Sequence, residues 1–172
     1  FVTARKESYA DDSRKPKVEP ATLLDDALRR DFTVNALMLN IHTEELTDPL
    51  GRGLDDLRKR TLRTPLNPEK TFYDDPLRML RAIRFRYQLG FEPSTGLYEG
   101  VLSQADRLAI ISAERIREEV GKMLALPDAD RCFDDMMRLG LIAQFAPEFL
   151  SMVGIGQERR WHSPMRIVVS TT

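Results

Sequence analysis

Hydrophobic positions recur at helical spacing over most of the chain after residue 53, whereas the pattern before it mixes extended and helical signals. The clearest helix is predicted over 76–89. At about 100° per residue, Leu77, Leu80, Ile83 and Tyr87 form one apolar stripe, and Asp75, Arg78, Arg81 and Arg84 spiral across the neighbouring face. Arg84 falls inside the stripe. A guanidinium does not lose its proton, so a core-facing Arg84 requires a carboxylate, a phosphate or a nucleobase to satisfy it. The same periodicity predicts helices over 54–59, 97–106, 113–126 and 130–139 and a short one near Ile142, punctuated by Gly90, Gly140 and Pro147. In the 113–126 helix, Ile116, Val120, Met123 and Leu124 build the packing face, Ser112 stands where an N-cap belongs, and Arg115 and Glu119 are spaced to pair with each other.

Upstream, Phe1-Val2-Thr3-Ala4 reads as the end of a strand already under way, so the chain is expected to be a fragment. A polar arm over 10–20, carrying Asp11, Asp12, Arg14, Lys15, Pro16 and Lys17, is expected to be a mobile loop. A helix is predicted over 23–39, with Asp25 and Asp26 in the first turn where they suit the dipole and Leu24, Leu28, Phe32 and Asn35 on one face. Residues 40–48 read as a short strand or hairpin. The glycine-rich turn Asp48-Pro49-Leu50-Gly51-Arg52-Gly53 then marks a domain boundary.

With 172 residues, 42% hydrophobic and 31% charged, the chain has the composition of a globular protein rather than a disordered tail. The formal net charge of −1 excludes global attraction to nucleic acid, so an anionic partner must meet a local basic patch. Residues 52–86 supply one, with ten Lys and Arg against five acids. The single cysteine, Cys132, cannot form an internal disulfide, and no apolar run approaches the roughly 18 to 20 residues that span a bilayer. A cytoplasmic location is expected.

The run Arg29-Arg30-Asp31-Phe32-Thr33-Val34-Asn35-Ala36-Leu37, followed by Asp74-Asp75-Pro76-Leu77-Arg78, resembles the class II tRNA nucleotidyltransferase and poly(A) polymerase family. Three further stretches are similar to family motifs in the same order. They are 3–9 (the strand before the arm), 48–55 with Leu62-Arg63 (the head-to-neck link), and Ser112-Ala113-Glu114-Arg115-Ile116 with Glu119 (the structural motif of the neck). The resemblance implies a mainly α chain: the C-terminal part of a polymerase β-like α/β nucleotidyltransferase head over 1–50, a helical neck with the nucleotide-recognition helix over 51–126, and the start of a helical body over 127–172. It also implies tRNA as partner, CTP and ATP as substrates, and Mg2+ as cofactor of the full-length enzyme.

Carried over residue by residue, Arg30, Arg81 and Arg84 match arginines that contact the nucleotide, Asp31 and Asn35 lie where the motif lines the ribose pocket, and Asp75 and Arg78 match the pair that reads the base. The chemistry suits those types. Cytosine and adenine both offer an exocyclic amine beside a ring-nitrogen acceptor, where uracil and guanine offer a carbonyl. An acid accepting from the amine and an arginine donating to the ring nitrogen therefore admit C and A and exclude U and G, without a nucleic-acid template. Other uses of these residues stay open. Arg29 is expected on the surface or in a salt bridge, Asp31 can cap or pair with Arg30, Asn35 can be satisfied within the core, and Asp74 suits the N-terminal dipole of the 76–89 helix.

The chain also departs from the family pattern. The family holds Mg2+ with two aspartates, spaced by one residue, on a strand after a glycine-rich loop; here Asp128-Ala129-Asp130 has that spacing but follows Pro127 between helices and reads as a helix start. The metal-binding segment is expected before Phe1, so this polypeptide is expected to carry no catalytic or metal residue of its own. Gly156-Gln157 and Trp161-His162 look like the lead into a histidine-aspartate hydrolase domain, a pattern that 165–169 does not continue; His162 and His42 are read as no metal site. CCA addition is favoured by Ala36-Leu37-Met38-Leu39, which lacks the aromatic-rich continuation expected of a bacterial poly(A) polymerase. That polymerase, a non-catalytic helical module binding RNA or a nucleotide, and a purely structural use of Arg78, Arg81 and Arg84 are the alternatives.

Overall fold

The computed structural model describes residues 5–8, 17–20 and 22–152, with the backbone alone for the first two segments. The chain opens with an antiparallel pair, β1 (Arg5–Ser8) and β2 (Lys17–Pro20), in which Arg5 lies opposite Pro20. The expected loop over 10–20 is corrected at its end, since 17–20 is a paired strand; 1–4, and the arm itself over 10–16, lie outside the described residues, as does the tract 156–169.

The single helix expected over 23–39 is three elements. Helix α1 covers Leu23–Leu28, a 3-10 turn covers Thr33–Ala36, and β3 (Met38–Leu39) pairs antiparallel with β4 (Leu46–Thr47) to give the expected hairpin. Local chemistry explains both ends of α1. Thr22 and Asp25 form a reciprocal capping box at its start. At its end the Asp31 carboxylate accepts from the Phe32 backbone N–H at 2.9 Å and draws that donor away from any helical carbonyl. Phe32 is left extended and fully buried, edge-on to Phe85 at 5.7 Å between ring centroids. The expected Leu24 face does not form, and Leu24 is exposed.

After the glycine-rich turn the chain is helical almost throughout. Helix α2 (Gly53–Arg58) leads to β5 (Thr61–Leu62), then α3 (Pro68–Asp74), α4 (Leu77–Leu89) and β6 (Glu92–Pro93), which pairs parallel with β5. Helix α5 (Leu97–Gln104) tightens into a 3-10 segment, and α6 (Ala113–Leu124), α7 (Ala129–Arg138) and α8 (Ile142–Phe145) complete the set before a last 3-10 turn. Helix α3 was not expected. Its start is written in Asn67-Pro68-Glu69: the Asn67 side-chain oxygen accepts from Glu69 N–H at 2.8 Å, and Pro68 occupies the first turn, where no amide donor is needed.

Helix α4 is the centre of the core. Leu77, Met79, Leu80, Ala82 and Ile83 are all buried on it, so its covered sector is wider than the stripe read from periodicity. It ends at Gly90, whose φ of +63° is the left-handed conformation that glycine accepts without cost. Around it pack Phe72 of α3, Leu97 and Val101 of α5, Ile116 and Met123 of α6, and Cys132 and Met136 of α7. Helices α3 and α5 approach so closely that a Cβ at Gly100 would lie 2.5 Å from the Pro68 Cβ. Ser112 takes the extended conformation of an N-cap, but its hydroxyl makes no capping hydrogen bond.

Candidate nucleotide-binding site

The end of α1 and the following 3-10 turn face α4 and α6 across a polar cleft of about 520 Å³. Its walls are Arg29, Arg30, Asp31 and Asn35 on one side and Asp75, Arg78, Arg81, Phe85 and Arg115 on the other. Five guanidiniums against two carboxylates give the cleft a positive field suited to an anionic ligand. The end of α1 at Leu28 positions one wall, because residues 29–35 leave the helix and line the cleft opposite α4.

Each charged group is held by a partner. Arg30 donates through Nε and Nη2 to Asp26 Oδ2 at 3.1 and 3.0 Å and through Nη1 to the Asn35 carbonyl at 3.0 Å. Arg29 also pairs with Asp26. The Asp31 carboxylate bridges the walls: Oδ1 accepts from Asn35 Nδ2 at 3.0 Å and Oδ2 from Arg81 Nε at 2.8 Å. Asp31 thus pairs with Arg81 rather than Arg30, and Asn35 is satisfied by that same carboxylate.

Asp75 and Arg78 line the same cleft. Asp75 is not on the helix that carries Arg78; it is the extended residue that closes α3, and its Oδ1 accepts from the Leu77 N–H at 3.3 Å. Its Oδ2 accepts from Arg115 Nη2 at 3.2 Å. Arg78 donates to the Arg29 carbonyl and, at 3.5 Å, to the Thr71 carbonyl. Asp74 does not serve the dipole of α4, since it is the last residue of α3 and accepts from Lys70 Nζ at 2.6 Å.

Arg84 lies apart from this group. It is buried at 7% exposure, donates to Glu119 Oε2 at 2.7 Å and to Gln88, and stacks 4.1 Å from the Phe85 ring centroid. The core-facing position read from the sequence is therefore satisfied by a carboxylate rather than by a ligand. Burial raises the pKa of the Glu119 carboxyl, but hydrogen bonds from Lys122 and Arg84 outweigh it and hold the group below its ordinary value. Glu119 and Arg115 do not pair with each other, as their spacing suggested; Glu119 takes Arg84 and Lys122, and Arg115 takes Asp75.

Two cleft residues escaped the sequence reading. Phe85 is the sole apolar side chain in the lining, and its signal was available, because it follows Arg78 and Arg81 along one face of α4. Arg115 meets Asp75 across 40 residues of chain and left no local signal. Among the described residues no group of three or more His, Cys, Asp or Glu is arranged to hold a metal ion, so those residues do not fit a Mg2+ site. No helix among them is long and apolar enough to cross a membrane.

Comparison with known proteins agrees with this geometry. Residues 1–63 match the poly A polymerase head domain, and residues 90–152 match a domain described as the probable RNA and SrmB-binding site of polymerase A. The tRNA nucleotidyltransferase cca2 of Schizosaccharomyces pombe is 46% identical over 128 residues, which is 72% of this chain and 26% of that protein. The crystal structure of the Bacillus stearothermophilus CCA-adding enzyme in complex with CTP superposes with a TM-score of 0.72 at 35% identity, covering 83% of this chain and 34% of that one. A tRNA nucleotidyltransferase complexed with a primer tRNA and an incoming ATP analog gives 0.67 at 27% identity over 74% of this chain and 38% of that one. The chain thus spans roughly a fifth to two fifths of the length of the proteins it matches, and α4 falls between the two matched domains. Two successive domain matches, the agreement of fold and an arginine-rich cleft at the junction of head and helices together mean that this chain belongs to the tRNA nucleotidyltransferase and poly(A) polymerase family.

Proposed function

We propose that this chain is the base-selecting part of a tRNA nucleotidyltransferase that transfers CMP and AMP from CTP and ATP to the 3′ end of tRNA. One observation carries the reading: the Asp75 carboxylate and the Arg78 guanidinium line one cleft and are not spent on each other. An acceptor and a donor in one cleft complement the amine and ring nitrogen shared by cytosine and adenine. Arg30 and Arg81 supply positive charge for the phosphates, and Asp31 and Asn35 supply the polar wall for the ribose. Arg84, behind Phe85, supports that wall from within the core. The division into head (1–50), neck (51–126) and start of body (127–172) fits this role, with the cleft at the head–neck junction.

Transfer to a 3′-hydroxyl requires charge neutralisation at the α-phosphate, which Mg2+ supplies when bound. The described residues offer no ligand set for that ion. Within this chain the residues bind and orient the nucleotide. A reducing cytoplasmic setting agrees with the lone buried Cys132.

The experiment is end-labelling of a tRNA that lacks its terminal CCA by the complete gene product, with CTP and ATP separately and together. Ordered incorporation of C, C and A supports the proposal. Incorporation of ATP alone in long tracts supports poly(A) addition instead, a reading favoured by the names of the two matched domains.

A further inference from the structure

Asp75 and Pro76 separate α3 from α4, and Asp75 has extended backbone with φ −140° and ψ 98°. No helical ladder fixes its side chain. The carboxylate, 23% exposed, has two partners: the Leu77 N–H, at a long 3.3 Å, and the Arg115 guanidinium at 3.2 Å. Only Arg115 is charged, and it comes from α6. Arg78, the nearest cation in sequence on α4, is directed to backbone carbonyls of Arg29 and Thr71. Among the described residues no ion pair joins Asp75 to Arg78.

That separation is not the default. A carboxylate and a guanidinium that line one cleft can close into an ion pair, and a bidentate Asp–Arg contact is among the stronger ones available. If the two closed on each other, the acceptor and the donor needed by a base would be consumed. We infer that Arg115 is a positioning residue for base selection, holding the Asp75 carboxylate off Arg78 so that both groups keep an edge turned to the cleft. The inference rests on the reading of Asp75 and Arg78 as base readers. Helix α6 is a firm mount for this contact, because one turn further along it Glu119 grips the buried Arg84 of α4 at 2.7 Å. The same helix therefore presents a cation to the acid of the reading element and an acid to its buried cation.

A merely structural Arg115, tying α6 to the α3–α4 junction, affects stability and leaves selectivity alone. The test measures kcat/KM for CTP and for UTP on a tRNA lacking CCA, using the complete gene product as wild type, Asp75→Ala, Arg115→Gln and Arg115→Lys, with Tm recorded for each. Asp75→Ala and Arg115→Gln are each expected to reduce the preference for CTP over UTP by about tenfold or more. Arg115→Lys, which keeps the charge, is expected to recover most of that preference. Should Arg115→Gln not fold, Arg115→Leu keeps the apolar stem and removes the charge, with the same expected loss. A lowered Tm with the wild-type CTP to UTP ratio in the charge-removed variant overturns the inference and leaves the base-reading role standing. An unchanged ratio in Asp75→Ala overturns both.

Discussion

Arg84 of α4 and Glu119 of α6 are joined by a 2.7 Å hydrogen bond across 35 residues of sequence, with their side chains only 9% and 4% exposed. Removing Glu119 leaves Arg84 a buried cation with only Gln88 and the Phe85 ring, which is the costly way to break such a pair, whereas removing Arg84 leaves Glu119 still paired with Lys122 at 2.8 Å. Glu119→Ala is expected to destabilise the fold by about 3–5 kcal/mol and Arg84→Ala by less, each read as a shift of the denaturant midpoint at unchanged m-value. Because Glu119 is held below its ordinary pKa in the fold, its contribution is present above the unfolded carboxyl value and is lost as pH falls through the folded one. Wild type should therefore lose stability on acidification more steeply than Glu119→Gln. Equal acid slopes for the two proteins contradict this assignment.

The Asp31 carboxylate joins the two walls of the cleft by accepting from Phe32 N–H, Asn35 and Arg81 at 2.8–3.0 Å. Asp31→Ala leaves three donors without their acceptor and frees the Arg81 guanidinium. The expected outcome is weaker binding of CTP and ATP alike, by roughly tenfold on the scale of one charge-assisted hydrogen bond, with discrimination against UTP and GTP retained. Calorimetric titration of the four nucleotides into the variant separates this uniform loss from a loss of base choice. A selective loss for CTP alone contradicts the assignment to the ribose wall.

Another buried carboxylate ties α7 to α4 and α5. Asp135 Oδ2 accepts from Arg86 at 2.8 Å, Tyr87 at 2.9 Å and Tyr98 at 2.7 Å. Burial, then the hydrogen bond and charge of Asp135, push the Tyr87 phenol from its ordinary 10.0 up to about 12. A group whose pKa is raised by folding adds stability that is complete below the unfolded value and fades as pH rises towards the folded one. Between pH 10 and about 12, wild type is expected to lose stability faster than Tyr87→Phe. Ultraviolet titration of the folded protein should also show Tyr87→Phe lacking amplitude near pH 12 rather than near 10.

What the sequence made legible follows the range of the interactions. Helices α4, α6 and α7 were readable because their apolar positions repeat over several turns, and their ends fell within a residue or two of the expected ones. The cleft residues 30, 31, 35, 75, 78 and 81 were legible as a family motif and do converge on one cleft. Three features were not. The helix expected over 23–39 ignored the Asp31 carboxylate, whose bond to Phe32 N–H ends helical geometry locally. Arg84 was visible as a core-facing cation, but which acid satisfied it depended on how α6 crosses α4. Arg115 and Glu119 looked like an intrahelical pair because their spacing permits one, and partners from the α3–α4 region, Asp75 and Arg84, took the two side chains instead.

The contact of Gly100 with Pro68 carries packing through to the Asp75 carboxylate. Helix α3 starts at Pro68 and closes at Asp75, so any displacement of its first turn by α5 moves the residue at its other end. A Cβ at position 100 would sit 2.5 Å from the Pro68 Cβ and 3.2 Å from the Glu69 backbone nitrogen, and neither neighbour is the free end of a flexible side chain. Gly100→Ala therefore has to push α3 away from α5. The intrinsic gain of alanine over glycine in a helix, about 1 kcal/mol, opposes an overpacking cost of about 1–3 kcal/mol, so net destabilisation is expected to be small. The larger effect belongs to function: a rigid shift of α3 alters the Asp75–Arg115 contact and should lower the preference for CTP over UTP more than it lowers Tm. Measuring both quantities in Gly100→Ala against Gly100→Ser, which adds the same Cβ with one more atom, checks the direction. A selectivity loss that grows from Ala to Ser supports transmission through α3, and wild-type selectivity in both refutes it.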